Sequence, residues 1–381
     1  MIVYLLCFLV TGIFALINEH ALKNNYRILA LITTFLVLII PAIVAGVRSY
    51  DIGTDVNFYV KKSIDLATNF SAVKNWFAAS SIPGYITQSQ EKGYLLLEYV
   101  STRIVPNTHF FLFLVALIEN IFIYLSLYKL KNNCSIFMGE LIFLFTQYNS
   151  FYNMVRQGIA ISICLFAVSI LVSKESKKYL KFILWIMIAF QFHRTAIIAL
   201  IFLGIYIVLE KNFSILKQTI LIFILLGIML SLVPVTQYAI NIGIFPARYL
   251  EYFSGGLAYN SGKISIIGIG IYSCGYLVLF QGMKYLGPNK NFYLVAALMD
   301  IGLILMTNIS FYLFRLSSYF LIIRVLSMSQ KTLYKLEPDR KIYNNSILLE
   351  LEAFLSIILY FVYFLGYLNW HQTIPYIFMT D

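Results

Sequence analysis

Apolar runs of about membrane-spanning length recur along the whole chain, more of them than a soluble core can bury. They fall near residues 2–18, 28–46, 109–129, 136–152, 155–173, 179–192, 194–209, 216–234, 264–286, 291–308, 311–328 and 347–369. Each is read as a transmembrane helix, which makes the chain an all-α polytopic integral membrane protein with about twelve crossings. A composition of 60% hydrophobic and 12% charged residues, with mean hydropathy +0.82, excludes a soluble domain. The net charge of +11 does not point to nucleic acid, because the lysines lie in short tracts between apolar runs. The stretch Ile2 to Ile17 lacks a basic n-region and a cleavage site, so it is read as a retained first helix. Cys7, Cys164 and Cys274 lie in apolar runs and Cys134 in a basic loop, with no metal-ligand spacing, so neither a disulfide framework nor a metal site is expected.

Several runs are shorter than the roughly 20 residues of a simple span, and their ends coincide with Asn149, Arg156, His193 and Arg315. Short helices that end on polar residues predict a water-filled cavity cut into the bilayer. The segment from Gly93 to Val105 carries Glu98, Ser101, Thr102 and Arg103 and stops at Pro106. It reads as a re-entrant or half-buried helix. Residues 1–381 form a single transmembrane domain, in which 47–92 is long enough for an outer cap and 235–263 forms a second outer loop.

Lysine and arginine in the short loops set the orientation. Lys23 and Arg27, Lys129 and Lys131, Lys174 to Lys181, Lys211 and Lys217, Lys284 and Lys290, and Lys331 to Lys341 all fall on one side, predicted to be cytosolic. Both termini fall on the other side, with Arg48, Arg156, Arg194, Arg248 and Arg315. Permanent cations gathered on one membrane face are suited to an anion. Guanidinium presents a planar fork matched to phosphate, so a lipid-linked phosphate or pyrophosphate is the expected ligand.

Four motifs carry these arginines. In 46–59, Gly53 permits a tight turn that sets Arg48, Asp51, Thr54 and Asp55 around one small volume, with Tyr59 following. Such a group can hold a phosphate while a carboxylate takes a hydroxyl proton, or it can be an ordinary turn. In 148–158, a continuous helix would put Asn149, Asn153 and Arg156 on one face beside Gln157, as a cavity stripe or as interhelical packing. His193 stands beside Arg194, whose like charge favours the neutral imidazole that a base requires; an interfacial histidine is the plain alternative. Asn308, Tyr312, Arg315 and Tyr319 share a helical stripe, and Arg324 lies about 13 Å deeper, where it is expected to snorkel to headgroups. Arg248 among Tyr249, Tyr252 and Phe253 adds a cation with rings suited to sugar stacking or to an interfacial belt.

The stretches Gly46 to Tyr59, Glu91-Lys92-Gly93-Tyr94, Asn153 to Ala160 and Phe314 to Phe320 resemble, in order and spacing, the EpsG family of Wzy-type polysaccharide polymerases. The resemblance implies an enzyme of the bacterial cytoplasmic (inner) membrane. Such an enzyme joins undecaprenyl-pyrophosphate-linked repeat units into O-antigen, capsule or exopolysaccharide, with its active site facing the periplasm or exterior. It also implies a metal-independent glycosyltransferase architecture related to the GT-C class, needing no cofactor. Arg48, Arg156, Arg194 and Arg315 then hold the donor pyrophosphate and steady its departure, while Asp55 or His193 takes the acceptor proton. Direct displacement predicts inversion at the anomeric carbon. The donor and acceptor lipids and membrane lipid are the expected partners; whether a chain-length regulator also binds is left open, and nucleic acid is not expected. The rival readings are a flippase or transporter for lipid-linked sugars, with Glu119 and Asp300 as a proton relay or as mere interhelical partners, and an O-antigen ligase.

Overall fold

The computed structural model describes residues 1–82, 87, 90–210, 214–243, 264–282, 286–307, 312–331 and 340–379. In chain order its helices begin with α1 (Ile2–Lys23) and α2 (Arg27–Gly46), followed by a π turn (Val56–Val60), α3 (Lys61–Ala67), α4 (Val73–Ala79) and α5 (Lys92–Ile104). Next come α6 (Thr108–Lys129), α7 (Ile136–Thr146), α8 (Tyr148–Phe151), α9 (Val155–Leu171), α10 (Lys178–Phe190) and a 3-10 helix (Arg194–Ala199). The series continues with α11 (Leu200–Glu210), α12 (Ile215–Asn241), α13 (Ile266–Gln281), α14 (Lys290–Met306), α15 (Tyr312–Leu321) and α16 (Arg324–Ser327). It ends with α17 (Arg340–Tyr360), which runs into a second π turn (Phe361–Tyr367).

Each predicted apolar run carries a helix. Ile2–Lys23, Arg27–Gly46, Thr108–Lys129 and Leu348–Tyr367 are long and apolar enough to cross a membrane, with shorter apolar helices at Ile136–Thr146, Val155–Leu171 and Ile266–Gln281. The protein is an all-helical integral membrane protein. Helix α9 lies at its centre, buried on nearly every side chain and packed against α6, α10, the 3-10 helix and α15. The segment predicted as a half-buried helix is helical as α5. It buries Tyr94, Leu95, Glu98, Ser101 and Thr102 and exposes Leu96, Val100 and Ile104. Beneath it Trp76 donates to the Leu95 carbonyl at 3.0 Å, in a small separate core with Ala67 and Ala79. The next helix starts after Pro106 because the Asn107 side chain accepts from the His109 N–H at 2.6 Å, a standard N-cap.

The two ends of the bundle differ in chemistry. At one end Glu19 pairs with Lys331 at 3.0 Å and accepts from Ser135 at 2.7 Å, and Glu175 bridges Lys129 and Lys181 at 2.9 and 2.8 Å. Lys129, Lys181 and Lys331, from three of the predicted basic loops, therefore lie there, whereas Lys211, Lys284 and Lys335 lie outside the described residues. At the other end Tyr4, near the start of α1, donates to the Thr373 carbonyl at 2.9 Å. The 22 residues of α1 separate the two ends by about 33 Å.

Three expectations change. The run 136–152 is not one helix: α7 stops at Thr146, and Met154 has the non-helical values φ −138° and ψ 45°. Asn149, Asn153 and Arg156 therefore do not form a single stripe. Arg324 does not snorkel. It is 3% exposed, donates to the Tyr272 carbonyl at 2.7 Å, lies 3.8 Å from the Asp300 carboxylate and sits over the Tyr276 ring at 3.9 Å. A buried guanidinium needs a counter-charge and acceptors, and the α13–α14 contact supplies both. Asp300 also accepts from Tyr272, Tyr276 and Ser317, so it serves as an interhelical partner.

Gly53 is required where it stands. Its φ is +89°, and an added Cβ would lie 2.7 Å from the Tyr152 carbonyl oxygen. Gly53→Ala is expected to destabilise the protein by about 2 kcal/mol through strain and backbone clash, read as a lower thermal unfolding temperature in detergent. An unchanged transition would mean that the loop at Gly53 does not bear on the α8–α9 break.

Candidate functional site

The break between α7 and α9 is where the loop that carries Gly53, α5, the α10–3-10 turn, α15 and the C-terminal tail meet. Within the break the backbone pairs locally, the Tyr152 N–H donating to the Asn149 carbonyl at 3.2 Å, that of Asn153 to Ser150 at 3.1 Å and that of Met154 to Phe151 at 3.1 Å. Its side chains tie it to the neighbouring segments. Asn153 accepts from the Thr54 N–H at 2.6 Å and donates to the His371 carbonyl at 2.6 Å; Asn149 donates to Thr373 at 3.1 Å.

Arg156, in the first turn of α9, donates to Glu91 at 2.8 Å and lies 5.2 Å from the Tyr59 ring centroid and 5.9 Å from that of Tyr94. Tyr59 donates to the Asp55 carboxylate at 3.1 Å. Burial raises the Asp55 carboxyl above its ordinary value, opposed by Arg315 and then Arg156. One carboxylate thus faces two cations contributed by α9 and α15. Gln157 links the same helices by donating to the Arg315 carbonyl at 2.6 Å.

His193 caps the 3-10 helix. Its Nδ1 accepts from the Thr195 N–H at 3.3 Å and lies 2.6 Å from the Thr195 hydroxyl, which in turn lies 3.0 Å from the Tyr319 hydroxyl. Burial lowers the imidazole well below its ordinary value, and the charges of Arg156, Arg315 and Arg194 push the same way. The ring is therefore neutral. With Nδ1 accepting a backbone N–H, the proton resides on Nε2, which makes His193 a donor toward whatever it faces.

Asp55 and His193 thus each lie within the electrostatic reach of Arg156 and Arg315, and His193 also of Arg194, a group drawn from four separate segments. Among the described residues, the Arg194 and Arg315 guanidinium groups make no hydrogen bond. Other predicted residues lie elsewhere. Arg48 is 2% exposed and turns inward, donating to the Ala45 carbonyl at 2.6 Å and the Ile52 carbonyl at 3.3 Å beneath the Tyr152 ring. Ala45 belongs to the last turn of α2, where carbonyls lack helical partners and a cation is favoured. The compact group around Gly53 therefore does not form: Asp51 accepts from Asn57 at 2.9 Å at the surface, and Thr54 is exposed. Tyr312 opens α15, whereas Asn308 and Arg248 lie outside the described residues.

Two residues at this end carry no role in the sequence reading. His371 lies 2.8 Å from the Ser150 hydroxyl, stacks on Trp370 and meets the Phe314 ring at a tilt, and burial together with Arg315 depresses it to about 3. Glu91 joins Arg156 to the His193–Arg194 turn, accepting from the Arg194 N–H at 3.2 Å. An acid just before an amphipathic helix was the available signal for Glu91, and none marked His371.

The family model described as the EpsG family matches residues 30–378 of the chain. No curated protein and no solved structure matches it.

Proposed function

The chain belongs to the EpsG family, and on that premise we propose that it is a polysaccharide polymerase acting on undecaprenyl-pyrophosphate-linked glycans at the outer face of the bacterial cytoplasmic membrane. In this reading the helices make about twelve crossings in a GT-C-related arrangement. The segment 47–92 caps the site, and the lysine-rich end faces the cytosol. The observation that carries it is the meeting of Arg156, Arg194 and Arg315 with Asp55 and His193 at the end opposite the lysine loops.

The donor pyrophosphate lies among the three guanidinium groups, with His193 Nε2–H as a further donor to its oxygens. Asp55 takes the proton from the acceptor hydroxyl as that oxygen bonds to the anomeric carbon. The carbon–oxygen bond to pyrophosphate breaks in the same step, and undecaprenyl pyrophosphate leaves. Pyrophosphate is a competent leaving group, so the step calls for no covalent enzyme intermediate, and inversion follows. Arg48 contributes by fixing the outer loop, the exposed Asp51 and Thr54 are available to sugar hydroxyls, and Tyr312 is assigned the same role.

In a strain lacking the protein, single lipid-linked repeat units are expected to accumulate on the outer leaflet and to be cleared by wild type but not by Arg156→Ala. Gel analysis of extracted lipid-linked oligosaccharide reads this directly. Units trapped on the cytosolic leaflet would make the protein a flippase. Normal lipid-linked chains that never reach lipid A would make it a ligase.

A further inference from the structure

Glu91 stands immediately before α5, and its side chain is only 8% exposed. One carboxylate oxygen accepts from Arg156 Nη1 at 2.8 Å and the other from the Arg194 backbone N–H at 3.2 Å. The Gly93 and Tyr94 N–H groups both donate to the Gln191 carbonyl, at 2.9 and 3.3 Å, so α5 is docked on the turn that carries Arg194. A Cβ on Gly93 would lie 2.7 Å from that carbonyl oxygen, which leaves the docking no slack. The carboxylate thus spans a guanidinium N–H and a backbone N–H, the donor types that hold a phosphate oxygen.

We infer that Glu91 and a phosphate group of the donor lipid exchange on this one pair of donors, the carboxylate yielding as substrate binds and returning as the pyrophosphate product leaves. The inference rests on the reading of this end as a site for a lipid-linked pyrophosphate. Three guanidinium groups attract pyrophosphate more strongly as its charge grows. The released product, with a free terminal phosphate, carries more charge than the glycosylated donor. Arginines alone would therefore hold the product more tightly than the substrate, and product release limits many enzymes. A carboxylate tethered beside Arg156 opposes that imbalance, because it competes for the same charge-assisted hydrogen bonds.

The test is calorimetric titration of inorganic pyrophosphate into detergent-purified wild type, Glu91→Gln and Glu91→Asp. Removing one charge-assisted competitor should tighten binding about tenfold in Glu91→Gln. The aspartate, one methylene too short to span both donors, should tighten it by about threefold, and it decides the matter alone where the glutamine variant does not accumulate. In vesicles supplied with lipid-linked repeat units, Glu91→Gln should lower KM and kcat together. Affinity that is unchanged or weaker in the variants overturns the exchange and makes Glu91 a fixed strut for Arg156. Tighter pyrophosphate binding in a protein that extends no glycan sinks the polymerase reading and leaves the exchange standing.

Discussion

Arg156→Lys is expected to slow chain growth about a hundredfold while the protein still accumulates in the membrane, the scale of losing one donor aimed at developing charge. The guanidinium has three neighbours at once: Glu91 at 2.8 Å on one nitrogen, and the Tyr59 and Tyr94 rings at 5.2 and 5.9 Å from its centre. Lysine can keep the Glu91 contact and the charge. It cannot present a planar face to two rings and a second N–H edge to a phosphate, because its ammonium is a point charge on a flexible stem. The measurement is glycan length and rate in vesicles supplied with lipid-linked repeat units, normalised to protein by immunoblot. Wild-type rates in the lysine variant would remove Arg156 from the chemistry.

Asp55→Asn should cost more, about a thousandfold, within the range of a lost general base. The pH profile makes the test specific. Burial raises the Asp55 carboxyl, and only its ionised form can accept a proton. Rate should therefore fall as pH drops through that raised value, on an acid limb lying above the ordinary carboxylate range. The limb should disappear in Asp55→Asn, whose residual rate would be flat with pH. His193 sets the control, since its imidazole is neutral well below its ordinary pKa and its Nδ1 is engaged with Thr195. An acid limb that survives in Asp55→Asn and vanishes in His193→Gln would exchange the two assignments.

The helices and their approximate ends were legible in the sequence, because each depends on local composition that a bilayer reads segment by segment, and Lys129, Lys181 and Lys331 share one end as their loops predict. The broken helix at 147–154 was not. Its residues, half of them polar, read equally well as a stripe on a continued α7, and what the break packs against is the loop at Gly53 and the tail at His371, both remote in sequence. The arginines show the same division. That Arg156, Arg194 and Arg315 sit near helix ends could be read directly, whereas the inward turn of Arg48 and the pairing of Arg324 depended on carbonyls and a carboxylate contributed by tertiary packing. Glu91 was visible as an acid before a helix. Its two donors are supplied by chain 65 and 103 residues further on, a separation that spacing rules do not reach.

The segment after the second π turn folds back onto the break, with Thr373 receiving Asn149, the His371 carbonyl receiving Asn153, and a backbone bridge joining Phe378 to Arg48. Thr373 is made 224 residues after Asn149, so a ribosome places the cationic elements in the bilayer long before anything can brace them. Synthesis order therefore leaves the brace until late. The strut that ties Asn149 and Asn153 to residues 371–373 is missing until α17 and the second π turn have been made, so the α8–α9 break takes its final shape only after they have emerged.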